Sequence, residues 1–501
     1  SIPNFEKYMN NYNVIIFDLD GTLSNSKEGI TKSVQYALSK FGIEEPDLDK
    51  LEHFIGPPLV DELMKSYDFT RGVITAMEER MDWMNIARYF YLTDERLQQI
   101  SRDFAADMER ALCGQPGATV SALKSHVSLP GGDEHGVYLA LDFGGTNARA
   151  ARIRLLGRHC YLIEKKVCQP LRMPGQYDYL SSATTAGELF DFLARLVGQV
   201  VHGQQAYTLG HTFSFAIERQ DLRDGRLLSW SKEIAVPGVE GEWVNAMLKQ
   251  ALARQGFRAV EPVALVNDTT ALLLSAAYTL ERVRLGLVCG TGFNACYYEP
   301  AWDMIVNLEA GDYGGLIRNR WDKAVDALSA QPGQHRMEKM TGGAYAAEIF
   351  RQTLLSYFKT RQLPVFSTAA MNDIISCDND LQCRLKMGQL WKRIVRPDEV
   401  RPVRNIGAAI FVRAAQLAGA VSCGILRHLY GGEAVPAQSV AVDGSLLEHV
   451  RGALFMMEDA MQACQNEGVS RDKQIPVDPV LIQDGPLVGA AVAAAIAGEG
   501  R

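Results

Sequence analysis

The chain has 501 residues, 47% hydrophobic and 22% charged, which excludes one small module and a disordered or fibrous polymer; at roughly 150 residues per domain, about three domains are expected. Its 59 acidic residues against 51 basic ones give a net charge of −8, which argues against a protein that grips nucleic acid by neutralising phosphates. Nine cysteines without zinc-like paired spacing, and first residues without a basic-then-apolar signal pattern, point to a reducing cytoplasm, and the longest nearly uncharged apolar run, Pro486 to Gly498, is short of the roughly 20 residues that cross a bilayer.

In chain order, the first predicted element is a strand from Val14 to Phe17, entering the turn Asp18 to Thr22 and followed by a helical pattern at Ile30, Val34, Ala37 and Leu38. From Arg71 a second organisation begins, with helical spacing through Met81, Met84 and Phe90. Thr93, Asp94 and Glu95 read as a helix start, and Leu97, Ile100, Phe104, Met108 and Leu112 continue at helical spacing. Breakers between Gly114 and Gly136 lead into a buried strand, Val137 to Leu141.

Strand-like runs then alternate with helical segments. The strands are Ala150 to Leu156, Val263 to Val266, Leu285 to Val288 and Val440 to Val442; the helices are Glu188 to Val201, Glu242 to Arg254, Tyr345 to Phe358 and Ile410 to Leu426. That alternation predicts α/β architecture. LALDFGGTNA, from Leu139 to Ala148, and LGLVCGTGFNA, from Leu285 to Ala295, are both apolar strands entering Gly/Thr/Asn turns, as expected of equivalent loops in two related halves.

Those two turns carry the first chemistry. At Gly144, Gly145, Thr146 and Asn147 the backbone can approach a ligand closely, and its N–H groups can cradle phosphate oxygens; Gly290, Thr291 and Gly292 offer the same. Neither fits the Walker or dinucleotide spacing, so a P-loop NTPase and a Rossmann dehydrogenase are disfavoured. Asp142, where strand becomes loop, suits the water shell of Mg²⁺ on nucleotide phosphates, or a turn bond to its own backbone. Asn267 and Asp268 end an apolar strand, where a carboxylate can accept a hydroxyl proton or the pair can cap a helix. Ser231, Lys232, Glu309 and Glu338 are residue types that grip a sugar's hydroxyls, and equally types found on a solvated surface.

From about Arg71 to Arg501 the chain resembles the hexokinase family, through ordered motifs. They are Leu139–Asn147 with Arg149, Phe213–Phe215, Leu228–Lys232, Val239–Gly241, Leu265–Thr269, Gly290–Gly292 with Asn294–Cys296, Gln334 with Glu338–Met340, Arg413–Leu417 and Val442–Ser445. The resemblance implies a two-lobed, actin-like (ribonuclease H-like) sugar kinase fold with an N-terminal α/β fragment. Its expected parts are helices at 71–136 packing on the large lobe, a small lobe at 137–267, the large lobe at 268–483, and a C-terminal helix at 484–501 returning to the small lobe. It implies ATP-dependent phosphorylation of a hexose, glucose first, at the 6-hydroxyl.

Carried over by position, Asp268 is the general base, with Lys232 and Arg149 also catalytic. Ser214, Ser231, Lys232, Asn267, Asp268, Asn294, Glu309, Gln334 and Glu338 hold the hexose. Asp142, Gly144, Gly145, Thr146, Asn147, Arg149, Gly290, Thr291, Gly292, Asp443, Gly444 and Ser445 surround ATP, and Asp142 holds Mg²⁺ through water. The chain departs from the family at Ala216, Ser231, Phe293, Leu308 and Ala310. Phe293 and Ala310 are expected to reshape the sugar-pocket wall, so that exchanging Phe293 for Thr changes sugar discrimination more than ATP affinity.

Residues 1–70 resemble a different family, the haloacid dehalogenase-like phosphatases of the phosphoglycolate phosphatase type. FDLDGTL, from Phe17 to Leu23, matches their first motif and HFIGPP, from His53 to Pro58, a piece of their cap. There Asp18 would be nucleophile and Asp20 acid/base. The later motifs and strands of that family are missing, so the expectation is a truncated fragment that lies against the kinase body or pairs with another copy. The rival functions are a non-catalytic sugar sensor and, from the N-terminus only, a phosphoester phosphatase. No nucleic-acid or membrane partner is expected.

Overall fold

A computed structural model describes residues 35, 44–50, 86–203, 205–230, 234–431, 435–465 and 477–499. The Asp18, Asp20 and His53–Pro58 motifs, and Ser231 with Lys232, lie outside the described residues. Helix α1 (Asp94–Leu112) starts where Thr93 accepts the Arg96 N–H at 3.3 Å, with Asp94 and Glu95 set against the positive end of the helix. Leu97, Ile100, Phe104 and Met108 form its buried face, as their spacing predicts.

After the two-residue strand β1 (Leu123–Lys124) come β2 (His135–Phe143), β3 (Asn147–Gly157) and β4 (Cys160–Pro170), an antiparallel meander. A small hairpin of β5 (Arg172–Met173) and β6 (Tyr177–Asp178) and helix α2 (Ala186–Gly198) follow. β7 (Tyr207–Phe213) pairs parallel to β2. A hairpin of β8 (Ala216–Arg219) and β9 (Gly225–Ser229) and helix α3 (Val244–Arg254) precede β10 (Val260–Val266), parallel to β7. The first sheet thus reads β10-β7-β2-β3-β4.

Helix α4 (Asp268–Thr279) leads to a second meander of β11 (Val283–Cys289), β12 (Phe293–Glu299) and β13 (Met304–Asn307), with β1 paired to β13. Helices α5 (Arg320–Leu328), α6 (Arg336–Thr341), α7 (Gly343–Tyr357), α8 (Thr368–Ile375), α9 (Asp380–Trp391) and α10 (Pro397–Tyr430) follow. β14 (Gln438–Asp443) pairs parallel to β11; helices α11 (Ser445–His449) and α12 (Ala453–Gln465) intervene; β15 (Val477–Leu481) pairs parallel to β14. The second sheet reads β1-β13-β12-β11-β14-β15; with β1 at its edge set aside, both sheets run third, second, first, fourth, fifth strand by order of appearance, so the repeated loop sequences occupy equivalent places in two related halves.

The last helix, α13 (Gly485–Glu499), crosses back onto β2, β7 and β10 and packs on α4, which itself packs on β11 and β12. These two helices form the layer between the sheets. Two glycines permit it: a Cβ at Gly210 would lie 1.8 Å from the Ala490 carbonyl oxygen, and one at Gly489 1.8 Å from that of Ala271.

Several elements depart from expectation. The helix expected from Ile410 to Leu426 spans Pro397–Tyr430 with Pro402 inside it. Burial of Val400, Val403 and Ile406 outweighs the missing N–H at that proline. This helix is long and apolar enough to cross a membrane by length and composition, but 89% of its apolar stretch is buried within the protein. β4 was not anticipated because an edge strand that carries Glu164, Lys165 and Lys166 lacks a continuous apolar run.

Candidate functional site

Among the described residues, Asp142, Ser214, Asn267, Asp268 and Asp443 lie at or just past the carboxyl ends of β2, β7, β10 and β14, where open α/β sheets leave a crevice. In the first half, the β2–β3 turn is closed by the Gly144 N–H donating to the Asn147 carbonyl at 3.3 Å. Asp142 pairs across it with Arg149, whose Nε donates to Oδ2 at 2.7 Å and whose Nη2 lies 2.6 Å from the same oxygen. Burial lowers the Arg149 pKa, but the Asp142 carboxylate more than compensates and the guanidinium is held above its ordinary value. Gly145 is half-buried, while Thr146 and Asn147 are exposed.

In the second half, Gly290, Thr291 and Gly292 are pinned by α7: the Gly343 N–H reaches the Gly290 carbonyl at 2.6 Å and the Ala344 N–H that of Thr291 at 2.9 Å. Gly444, at φ 115°, presses against the same loop, and a Cβ there would lie 2.4 Å from the Cys289 carbonyl carbon. A Cβ on Gly290 would in turn meet Gly444 and the Ser445 nitrogen at 3.2 Å. The two glycine turns of this half are therefore one surface, and side chains at either position would separate them.

Asp443 joins the halves. Burial pushes its carboxyl above the ordinary range, the Gly444 N–H and Arg149 oppose that, and the charges of Asp268 and Asp142 add to it. Three carboxylates and one guanidinium thus share a field. Hard carboxylate oxygens of this kind, one or two beside nucleotide phosphates, fit Mg²⁺ held largely through water. Asp142 and Asp443 would hold such an ion, which supplies charge neutralisation at the phosphates.

Asn267 and Asp268 start α4. Asn267 caps it, Oδ1 accepting the Thr269 N–H at 3.0 Å and the Thr269 hydroxyl at 2.8 Å. The capping reading is thus satisfied, and Asn267 also lines a cavity of about 370 Å³, together with Phe215, Thr270, Asn307, Glu309 and Arg219. The Asp268 Oδ1 accepts the Thr269 N–H at 2.8 Å; among the described residues Oδ2 accepts no hydrogen bond, so this oxygen can take a proton. Ser214 is buried at the end of β7, its N–H on the Phe143 carbonyl at 3.4 Å. Near it the rings of Phe143, Phe213, Phe215 and Trp230 meet at tilted or edge-on angles, and the Trp230 Nε1–H donates to the Val236 carbonyl at 2.7 Å.

Asn294 and Glu309 are joined through Asn307, and Glu338 is bonded to the backbone beside Asn294. Asn294 Nδ2 donates to Asn307 Oδ1 at 3.0 Å, and Asn307 Nδ2 donates to Glu309 Oε1 at 2.7 Å. The Phe293 N–H reaches Glu338 Oε2 at 3.1 Å, and Gly292 must be glycine, because a Cβ would stand 2.4 Å from that oxygen. Gln334 stands apart: it is exposed in the turn before α6, and among the described residues its side chain makes no hydrogen bond to the other predicted site residues.

Sequence reading missed Asn307. The available signal was the one used at Asn267, a polar residue ending an apolar strand. The reading of Phe293 requires correction. On β12 its side chain alternates with that of Asn294, so it enters the core shared by Leu287, Leu308 and Ala310. All three departures from the family at 293, 308 and 310 thus fall in that core, where a large Phe293 accompanies a small Ala310. Phe293→Leu is accordingly expected to cost no more than about 1.5 kcal/mol of stability and to leave the kcat/KM ratio between two hexoses within twofold. Thermal denaturation beside paired kinetics checks this; a shifted ratio at unchanged stability would return Phe293 to the pocket wall. Cys289 and Cys296, near the second loop, are buried, and burial drives the Cys289 thiol up to about 12, so both remain unreactive thiols at neutral pH.

Residues 82–278 match one hexokinase family model and residues 284–496 a second. A haloacid dehalogenase-like hydrolase model matches residues 15–100, extending past residue 70 into α1, a helix that packs on α10. Similar proteins include Hexokinase-5 of Oryza sativa subsp. japonica, 33% identical over 80% of this chain and 86% of that protein. Hexokinase-1 of Schizosaccharomyces pombe is 26% identical over 85% of this chain and 92% of that protein. Among solved structures, hexokinase from Schistosoma mansoni complexed with glucose superposes with a TM-score of 0.72 at 26% identity, covering 84% of this chain and 99% of that one. Another hexokinase crystal structure gives 0.72 at 29% identity, with the same coverage.

Proposed function

The chain belongs to the hexokinase family, an ATP-dependent hexose kinase of actin-like fold, and from that premise we propose that it phosphorylates glucose at the 6-hydroxyl, the first step of glycolysis, in the cytoplasm. One observation carries the assignment of the site. Asp268, with an oxygen that accepts no bond among the described residues, shares a field with Asp142, Asp443 and Arg149, beside both phosphate turns and a cavity lined by Asn267, Asn307 and Glu309.

The chemistry follows from that arrangement. Asn267, Asn294, Glu309 and Glu338, with Ser214, Ser231 and Lys232, orient the sugar so that its 6-hydroxyl faces Asp268; Oδ2 accepts the proton as that oxygen bonds to the γ-phosphorus of ATP, and the bond from this phosphorus to the bridging oxygen breaks to release ADP. The Thr269 N–H and the start of α4 keep that carboxylate aimed. The N–H groups of the turns at Gly144–Thr146, Gly290–Gly292 and Asp443–Ser445 hold the phosphates, while Arg149 and Lys232 balance charge developing in transfer. In phosphoryl transfer, positioning and electrostatics do most of the catalysis. Water carries the same attacking group as the sugar, so closure on hexose protects ATP from waste.

The test is coupled measurement of ADP formation by the full chain across a panel of hexoses, alongside phosphate release from small phosphoesters. Expected are slow ADP formation without sugar, a large acceleration with glucose, and no phosphatase activity. Equal ADP rates with and without hexose would refute the proposal. Sugar binding without turnover would mark a sensor, and phosphoester hydrolysis a working N-terminal phosphatase.

A further inference from the structure

We infer that Asn307 is a positioning residue for hexose binding, the link that fixes Asn294 and Glu309 to each other; the inference rests on reading those two as hexose ligands. The direction of each hydrogen bond is determined by the backbone. Asn294 Oδ1 accepts the Ala295 N–H at 2.7 Å and the Ala310 N–H at 3.0 Å, so that atom must be oxygen and the Asn294 NH₂ must point the other way. It meets Asn307 Oδ1 at 3.0 Å. The Asn307 NH₂ is thereby turned to Glu309, whose ionised carboxylate can only accept, at 2.7 Å. The Glu309 N–H closes the loop on Asn307 Oδ1 at 3.4 Å.

Pairing explains why this residue can reach both. Asn307 ends β13 directly opposite Cys296 of β12, so Asn294, two residues earlier on the same face, is its diagonal neighbour. Asn307 is 6% exposed and lines the cavity beside Glu309. Removing its amide takes one hydrogen-bond partner from Asn294 Nδ2 and one from Glu309 Oε1 in the cavity wall. Glu309 sits in left-handed backbone at φ 45°, a conformation unusual for glutamate that the surrounding structure has to hold in place.

The experiment compares Asn307→Ala, Asn307→Asp, Glu309→Gln and the double variant Asn307→Ala/Glu309→Gln, using glucose and ATP as probes. Asn307→Asp preserves volume and can still accept from Asn294, but its carboxylate cannot donate to Glu309. It keeps the test decisive if the alanine variant fails to fold. Expected for either Asn307 variant is a glucose KM raised at least tenfold, with kcat within threefold and ATP KM within twofold of the parent. The double variant should raise the glucose KM by less than the product of the two single effects, because part of the amide's effect passes through that carboxylate. A glucose KM within twofold of the parent in a folded Asn307 variant, while Glu309→Gln raises it, would overturn the inference and leave the sugar site standing. So would strict additivity in the double variant. If Glu309→Gln itself leaves the glucose KM unchanged, the sugar-site reading fails and this inference with it.

Discussion

Asp268→Ala is expected to lower kcat by about 10²–10⁴-fold, the range a positioned general base contributes, while glucose still binds within a few-fold of the parent affinity. The asymmetry follows from how the residue is held. Its neighbour Asn267, not Asp268, caps α4 and accepts both Thr269 groups, so removing the Asp268 carboxylate leaves the helix start intact. Asn294 and Glu309 are linked through Asn307, and Glu338 is held by the Phe293 N–H, none of them through Asp268, so the grip on the sugar is expected to persist. Calorimetric titration with glucose beside single-turnover ADP formation separates the two effects. Loss of sugar affinity in parallel with turnover would show that Asp268 is mainly a ligand, and retained turnover would remove it as the base.

The second large effect concerns stability. Arg413, inside α10, makes a two-pronged pair with Asp322 of α5, at 2.8 Å on both prongs, with each side chain 2% exposed. The guanidinium also lies over the Phe90 ring, 4.8 Å from its centroid, fastening the chain just before α1 to the second half. Asp322 caps α5 as well, accepting the Asn319 N–H at 2.9 Å. Arg413→Met keeps most of the volume but strands a buried carboxylate, and a loss of about 3–5 kcal/mol is expected. The double variant Arg413→Met/Asp322→Asn, which removes the stranded charge, should recover more than half of it. Urea denaturation of the two variants and the parent decides the matter; a single-variant loss below about 1 kcal/mol would mean the site relaxes or hydrates. Kinetic constants measured well below the melting range should be unchanged, since neither residue touches the cleft.

Much of this was legible beforehand, and for identifiable reasons. Runs such as Leu139–Phe143 and Leu285–Cys289 were readable as strands because both faces are buried and the residues are almost uniformly apolar. The glycine turns that follow them were readable because few other residues tolerate such close approach. Phe293 was misread because its neighbour in sequence, Asn294, faces the site, and in a strand adjacent residues face opposite ways. Asn307 was passed over because its importance lies in its partners, which come from another strand and the turn beyond it.

By its own local rules, the order of residues determined the alternating elements and the two related halves, while the residues proposed for phosphoryl transfer were named through the resemblance to the hexokinase family. Tertiary structure decided what depends on pairing between distant segments: that Arg149 is committed to Asp142, that Gly444 lies against Cys289 and Gly290, and that the Arg413 charge is cancelled 91 residues away. The physical reason is that periodicity and turn chemistry are set by neighbours in the chain, whereas burial, hydrogen-bond direction and the field at a carboxylate are set by whatever the folded backbone brings alongside.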